Sequence, residues 1–224
     1  MNVFPAHTPR SLRIPGGFTL VELLAVIAIT GILAGILIPV TIRIRETARN
    51  VECTGNLRAL VTGMTLYADA NKGVYPAPTN NLLPNGDRGT WMRALKEGGY
   101  LDDNPKELIV AGRKSVFLCP AAFKTYPDGL ARRTYGMNTL ANTDDALRPY
   151  ELPEPARSLI FADGVEAGGG EGDSWFYIRS GALERIDARH NGAFNAGFVD
   201  GHAERLGKTD PRLVEYLDNI RPGS

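Results

Sequence analysis

The chain has 224 residues with 25 basic and 25 acidic side chains, so its formal net charge is zero. That balance excludes nucleic acid as the main partner, because holding a phosphate backbone draws on a basic excess. With 43% hydrophobic and 22% charged residues it has the composition of an ordinary folded chain, long enough for one membrane segment and one modest domain.

Residues 1–17 carry Arg10 and Arg13, no acid, and three prolines. From Phe18 to Ile42 the only charge is Glu22, and these 25 residues can cross a hydrocarbon core of roughly 30 Å as a helix. A secretory signal peptide would have a shorter apolar run followed by its cleavage site, whereas here Gly16 and Gly17 precede the run. A carboxylate inside a lone membrane helix costs roughly 2.5–3.5 kcal/mol, so Glu22 calls for a partner. A cut between Gly17 and Phe18 would create an amine one helical turn away, and a helix amino end also favours an anion. Gly31 and Gly35 form a small-xxx-small pair that suits close helix packing. Arginines flank the run on both sides (Arg10 and Arg13; Arg43, Arg45 and Arg49), so counting charges leaves its orientation open.

GFTLVE followed by an apolar helix resembles the prepilin signal of type IV pilins and type II secretion pseudopilins. The resemblance implies that a prepilin peptidase cuts between Gly17 and Phe18 and methylates the Phe18 amine. It implies that Glu22, the fifth mature residue, pairs with the Phe18 amine of an adjacent subunit during assembly. It places the leader in the cytoplasm, the helix in the inner membrane and the carboxyl-terminal domain in the periplasm. Pro39 falls where pilin helices often carry a proline, and is expected to kink or locally melt the helix.

Residues 43–72 keep a helical period. Cys53, Leu57, Leu60, Val61, Met64 and Ala68 share one face, which reads as core packing. Gly73, after Lys72 in the last turn, is the expected stop. One helix from Phe18 to about Asn71 would run about 80 Å at 1.5 Å per residue. Cys53 and Cys119 are the only cysteines; with no CxxC pair a structural zinc site is not expected. They form a candidate disulfide, with two buried free thiols as the other state.

Residues 73–224 read as a loop-rich domain. Gly73 to Gly89 is a loop by its prolines and asparagines, Thr90–Glu97 a short helix ended by Gly98 and Gly99, and Lys114–Leu118, Ser158–Ala162 and Trp175–Arg179 are strand-like. Pro120 to Pro155 holds few periodic signals. Phe194–Val199 and His202–Leu206 flank Asp200-Gly201, expected to be a two-residue type I′ hairpin turn. A last helix follows, with Asp210 as N-cap, Pro211 in the first turn, and Leu213, Val214 and Leu217 as its packed side.

RHNGAFNAGFVDGH resembles the H-X9-DG signature of prepilin-like proteins from Planctomycetes, Verrucomicrobia and their relatives, through His190, Asp200 and Gly201. SLIFADG and CPAAFKTYPDGLARRTYGMN add to that likeness, which carries no assigned chemistry. His190, Asp200, His202 and Asp163 are suitable ligand types for a divalent cation, but Asp200 has a turn role and a hydrogen-bonded hairpin is the expectation, with no metal site. Major pseudopilins bind calcium in a carboxyl-terminal loop. The acidic, glycine-rich GVEAGGGEGD could play that part but lacks a calcium-loop spacing, so its residues are not assigned it; no cofactor is expected, with calcium as the alternative.

No GxSxG, HExxH or phosphate-cradling loop is present, and no enzyme is expected. The implied fold is α+β and pilin-like, a long amino-terminal helix packed on a small antiparallel sheet. The implied function is that of a filament subunit, specifically a type II secretion pseudopilin. Its expected partners are homologous subunits, the prepilin peptidase, the inner-membrane assembly machinery and the membrane itself. Two other readings share the processing signal: a minor type IV or competence pilin, and a membrane-tethered binding module exported by the same route. An anchored metalloenzyme is a third alternative.

Overall fold

A computed structural model describes residues 19–79, 81–101, 115–122, 134–139, 147–165 and 177–220. The chain divides into two compact units, Met1–Ile44 and Arg45–Ser224. Helix α1, Leu20–Ala70, contributes to both.

In the first unit every described residue is exposed within the chain. The large apolar side chains from Leu20 to Ile44 cover the helix on all sides and touch no core. The helix continues through Pro39 without local melting. Thr41 Oγ1 donates to the Ile38 carbonyl.

In the second unit α1 buries one stripe, Cys53, Leu57, Leu60, Val61, Met64 and Ala68, with Gly63 alongside. This is the face that the sequence period predicts. Gly63 lets Leu101 lie against the helix backbone, where a Cβ would sit 2.8 Å from Leu101 Cγ. The helix stop differs in detail from the expectation. Lys72 itself takes the left-handed conformation (φ 58°), and the Gly73 N–H donates to the Ala68 carbonyl at 2.8 Å. That six-to-one bond marks a Schellman ending with lysine in the left-handed position. Helix α2, Trp91–Glu97, ends in the same motif with Gly99 (φ 75°), Tyr100 N–H donating to Leu95 O and Gly99 N–H to Lys96 O.

The sheet has the order β5-β3-β4-β6-β7. Its strands are β3, Tyr135–Asn138; β4, Leu159–Asp163; β5, Tyr177–Ile178; β6, Ala193–Phe198; and β7, Ala203–Gly207. Four strands pair antiparallel, and β5 adds to the β3 edge in parallel. Both faces are covered. Tyr135, Met137 and Phe161 join the core shared with the α1 stripe, Trp91 and Phe117. Phe194, Ala196 and Phe198, at every second position of β6, join the opposite core with Leu213, Tyr216 and Leu217 of helix α3, Leu213–Asp218. On the α1 side β6 presents small or polar residues: Gly197 lies under Leu57 and Val61, and Asn195 Nδ2 donates to Asn50 Oδ1 of α1 at 3.0 Å. Strand β4 breaks alternation, because Ile160 and Phe161 both face the α1 core. A register shift between Leu159 and Phe161 accounts for it, as a bulge turns one residue over. Asn138 ties the layers, its Nδ2 donating to the carbonyls of Leu159 and Leu217 at 2.8 Å each.

Several expectations are corrected. Ser115 to Leu118 form a turn rather than a strand; Phe117, Leu118 and Cys119 are apolar because they plug the core. Within Gly73–Gly89 a two-stranded ribbon forms from β1, Asn81–Leu82, and β2, Arg88–Gly89. In α3 the buried side is Leu213, Tyr216 and Leu217, with Val214 exposed, as an i, i+3, i+4 face requires. The regular helix starts after Arg212, two residues later than expected, yet Asp210 Oδ1 accepts the Arg212 N–H at 2.9 Å, the i+2 bond that a capping aspartate makes.

At Gly197 a Cβ would lie 3.4 Å from Val61 and 3.5 Å from Leu57. Replacement by alanine should therefore leave stability unchanged or slightly raised, whereas Gly197→Leu should lift α1 and cost about 1–3 kcal/mol. Urea unfolding of the two variants checks this.

Candidate functional site

Two groupings carry the residues singled out from sequence. The first is the start of α1. Gly17 and Phe18 lie outside the described residues. Glu22 is exposed, and its Oε2 accepts from both the Thr19 N–H and the Thr19 Oγ1–H at 2.8 Å. The Glu22 N–H returns a bond to Thr19 Oγ1 at 3.3 Å, so Thr19 and Glu22 form a capping box, Thr-x-x-Glu. This local role escaped the sequence reading, although the spacing displays it. Both bonds are donated by neutral groups of Thr19, and among the described residues no cation is placed against the carboxylate. Gly31 and Gly35 have nothing within 4 Å of where a Cβ would stand, so that face of the helix is open.

The second grouping lies where α1 meets the sheet. Cys53 and Cys119 are disulfide-bonded, with Cα atoms 4.9 Å apart, inside the ordinary range for such a bridge. It joins α1 to the turn that plugs the core, and both residues are fully buried. The Cys119 N–H donates to Thr134 Oγ1, and Tyr135 donates its hydroxyl to the Cys53 carbonyl at 3.2 Å. Burial, with the Asp163 charge adding to it, pushes the Tyr135 phenol well above its usual range and keeps it a donor.

His190 belongs to this second grouping. Its Nε2 lies 3.3 Å from Cys119 Sγ and 3.2 Å from Asp163 Oδ2. Asp163, at the end of β4, also accepts the Asn195 N–H at 2.8 Å. The imidazole is aimed by a tight turn at Asn191-Gly192, with φ values of 55° and 78° and the His190 N–H donating to Ala193 O. Two consecutive positive φ values make this the type I′ turn. Asn-Gly is the strongest short hairpin signal, and it lies between His190 and β6.

The expected I′ turn at Asp200-Gly201 is a correction. Phe198 and His202 pair, leaving a three-residue loop in which only Gly201 has positive φ, at 93°. Asp200 closes this loop with its side chain, Oδ1 accepting from the His202 N–H at 3.1 Å and contacting His202 Nδ1 at 2.6 Å. His202 stacks on Phe198 at 4.2 Å between ring centroids. His190 and Asp200 thus have separate partners, one buried and one at the hairpin tip. Of GVEAGGGEGD, residues 166–173 lie outside the described residues.

Residues 14–38 match the family described as "Prokaryotic N-terminal methylation motif". The type II secretion system core protein G of Vibrio cholerae serotype O1 is 31% identical over 100 residues, covering 44% of this chain and 68% of that protein. The chain belongs to the core protein G family. Proteins of the same name from Aeromonas hydrophila (27% identity over 146 residues, 63% of this chain and 96% of theirs) and Pseudomonas aeruginosa (26% over 117 residues, 47% and 80%) agree. No solved structure matches the chain significantly. As a member of this family it is a type II secretion pseudopilin, built as a membrane-capable helix joined to an α+β domain.

The disulfide closes a loop of 66 residues. Loop-closure entropy for that length predicts that replacing both cysteines by serine lowers the unfolding free energy by about 4 kcal/mol. Denaturant titration of the oxidised chain beside the double variant measures the difference.

Proposed function

We propose that this pseudopilin is cut between Gly17 and Phe18, methylated on the Phe18 amine, and assembled through α1 with its domain outside the cytoplasmic membrane. The observation that carries the reading is the unit from Leu20 to Ile44. It is apolar on every side, uncovered within the chain, and has a single carboxylate at its beginning. Lipid satisfies the apolar side chains before assembly, and neighbouring helices replace it afterwards. Thr19 supplies hydrogen bonds to Glu22 but no charge, and with no cation against it among the described residues the carboxylate is the site for a neighbour's amino terminus.

The partners under this reading are other pilin-like subunits, the prepilin peptidase and the inner-membrane assembly machinery. The chain turns over no substrate. The domain, stapled to the second half of α1 by Cys53–Cys119, forms the outer surface of a periplasmic filament. Formation of that bridge agrees with an oxidising compartment.

Mass spectrometry of the chain recovered from membranes tests the processing. A mature amino terminus at methylated Phe18 is expected. A chain that keeps residues 1–17 contradicts the reading.

A further inference from the structure

The disulfide is surrounded by more donor atoms than a bridge needs. Cys53 Sγ, Cys119 Sγ and a ring nitrogen of His190 all lie within 4.8 Å of one another, and all three residues are buried. His190 Nε2 faces two electron-rich atoms at once, Cys119 Sγ at 3.3 Å and Asp163 Oδ2 at 3.2 Å. A single N–H points well at only one of them. Asp163 is fully buried, and its other oxygen, Oδ1, has no hydrogen-bond partner among the described residues. A histidine filling a core does not call for a second acceptor beside the same nitrogen, nor for a carboxylate with an idle oxygen.

Sulfur, imidazole nitrogen and carboxylate oxygen are the donor set of tetrahedral zinc, with bond lengths of about 2.0–2.3 Å and hence ligand-to-ligand edges of roughly 3.3–3.8 Å. The contacts of 3.3 and 3.2 Å about Nε2 are already near such edges. We propose that in the reduced chain Cys53, Cys119, His190 and Asp163 form a closed site for a zinc-type divalent cation, so that this cluster holds either a disulfide or a metal ion. The chain is synthesised as the dithiol, so no reductant is needed to reach the metal-binding form. Binding removes one proton from each thiol and leaves both sulfurs as thiolate ligands. Oxidation of the two thiolates to the disulfide, two electrons passing to an external disulfide or quinone when the domain opens and exposes the sulfurs, removes two ligands and releases the ion. Full burial of the bridge stands against a thiol-exchange role in the folded domain, since an attacking thiolate has no access, whereas structural zinc sites are closed. Sequence spacing hides the set because α1, the core-plugging turn, β4 and the Asn191-Gly192 turn each supply one member.

Cobalt titration of the full chain in detergent, kept reduced by a phosphine, tests this. One cobalt per reduced chain is expected, with thiolate-to-cobalt charge-transfer absorption and the visible bands of a tetrahedral ion, and none for the oxidised chain. His190→Gln should weaken cobalt binding at least tenfold, and Cys53→Ser should abolish the charge-transfer band. For the wild-type chain, which needs no variant to fold, zinc should raise the melting temperature of the reduced form and leave the oxidised form unchanged. The proposal is overturned if reduced wild-type chain shows no charge-transfer band, if oxidised chain binds equally, if His190→Gln binds as tightly as wild type, or if zinc does not raise the reduced melting temperature.

Discussion

One helix is asked to satisfy two solvents, and the rest of the molecule follows from where it changes over. Up to Ile44 the apolar side chains of α1 surround the axis, so no single protein face could cover them and a hydrocarbon or a bundle of like helices must. From Cys53 to Ala68 the apolar residues collapse to a stripe, and a stripe needs a domain. Arg43, Arg45 and Arg49 fall between the two regimes. They supply charge where the helix leaves the apolar phase.

The domain is arranged to receive that stripe. Strand β6 clears space with Gly197 and anchors the helix through Asn195, while its alternate residues build the opposite core under α3. The bulge in β4 lets both Ile160 and Phe161 join the helix side, where Phe161 meets Trp91 at 4.8 Å between ring centroids. A sheet buried on both faces needs apolar residues at nearly every position of its central strand, and LIFA in β4 is such a run. The Cys53–Cys119 bridge then fixes α1 to the only turn that reaches this core between α2 and β3 among the described residues.

Much of this was legible where a period was long enough to identify itself. Cys53 through Ala68 span four turns with one consistent face, and all six named residues are buried. The prepilin motif was legible because a lone acid in an apolar run has few explanations. Short elements were less so. Ser115–Leu118 has the apolar residues of a strand, yet their burial comes from plugging a core beside Trp91, which no local pattern records. Asp200-Gly201 has the letters of a two-residue turn, but the register of β6 and β7 leaves three residues in the loop, and only Gly201 needs the left-handed region. The contact of His190 with the bridge was out of reach, since its partners come from segments far apart in the chain and meet only through the tertiary fold.

The central claim is that the exposed apolar half of α1 assembles by giving Glu22 the amino terminus of another copy. The most direct measurement counts filaments by electron microscopy in cells making the secretion machinery with either the wild-type chain or Glu22→Ala, at matched levels of processed subunit. The account predicts that the variant is cut and stays in the membrane while filaments are lost. Filaments formed by Glu22→Ala in wild-type numbers would contradict it.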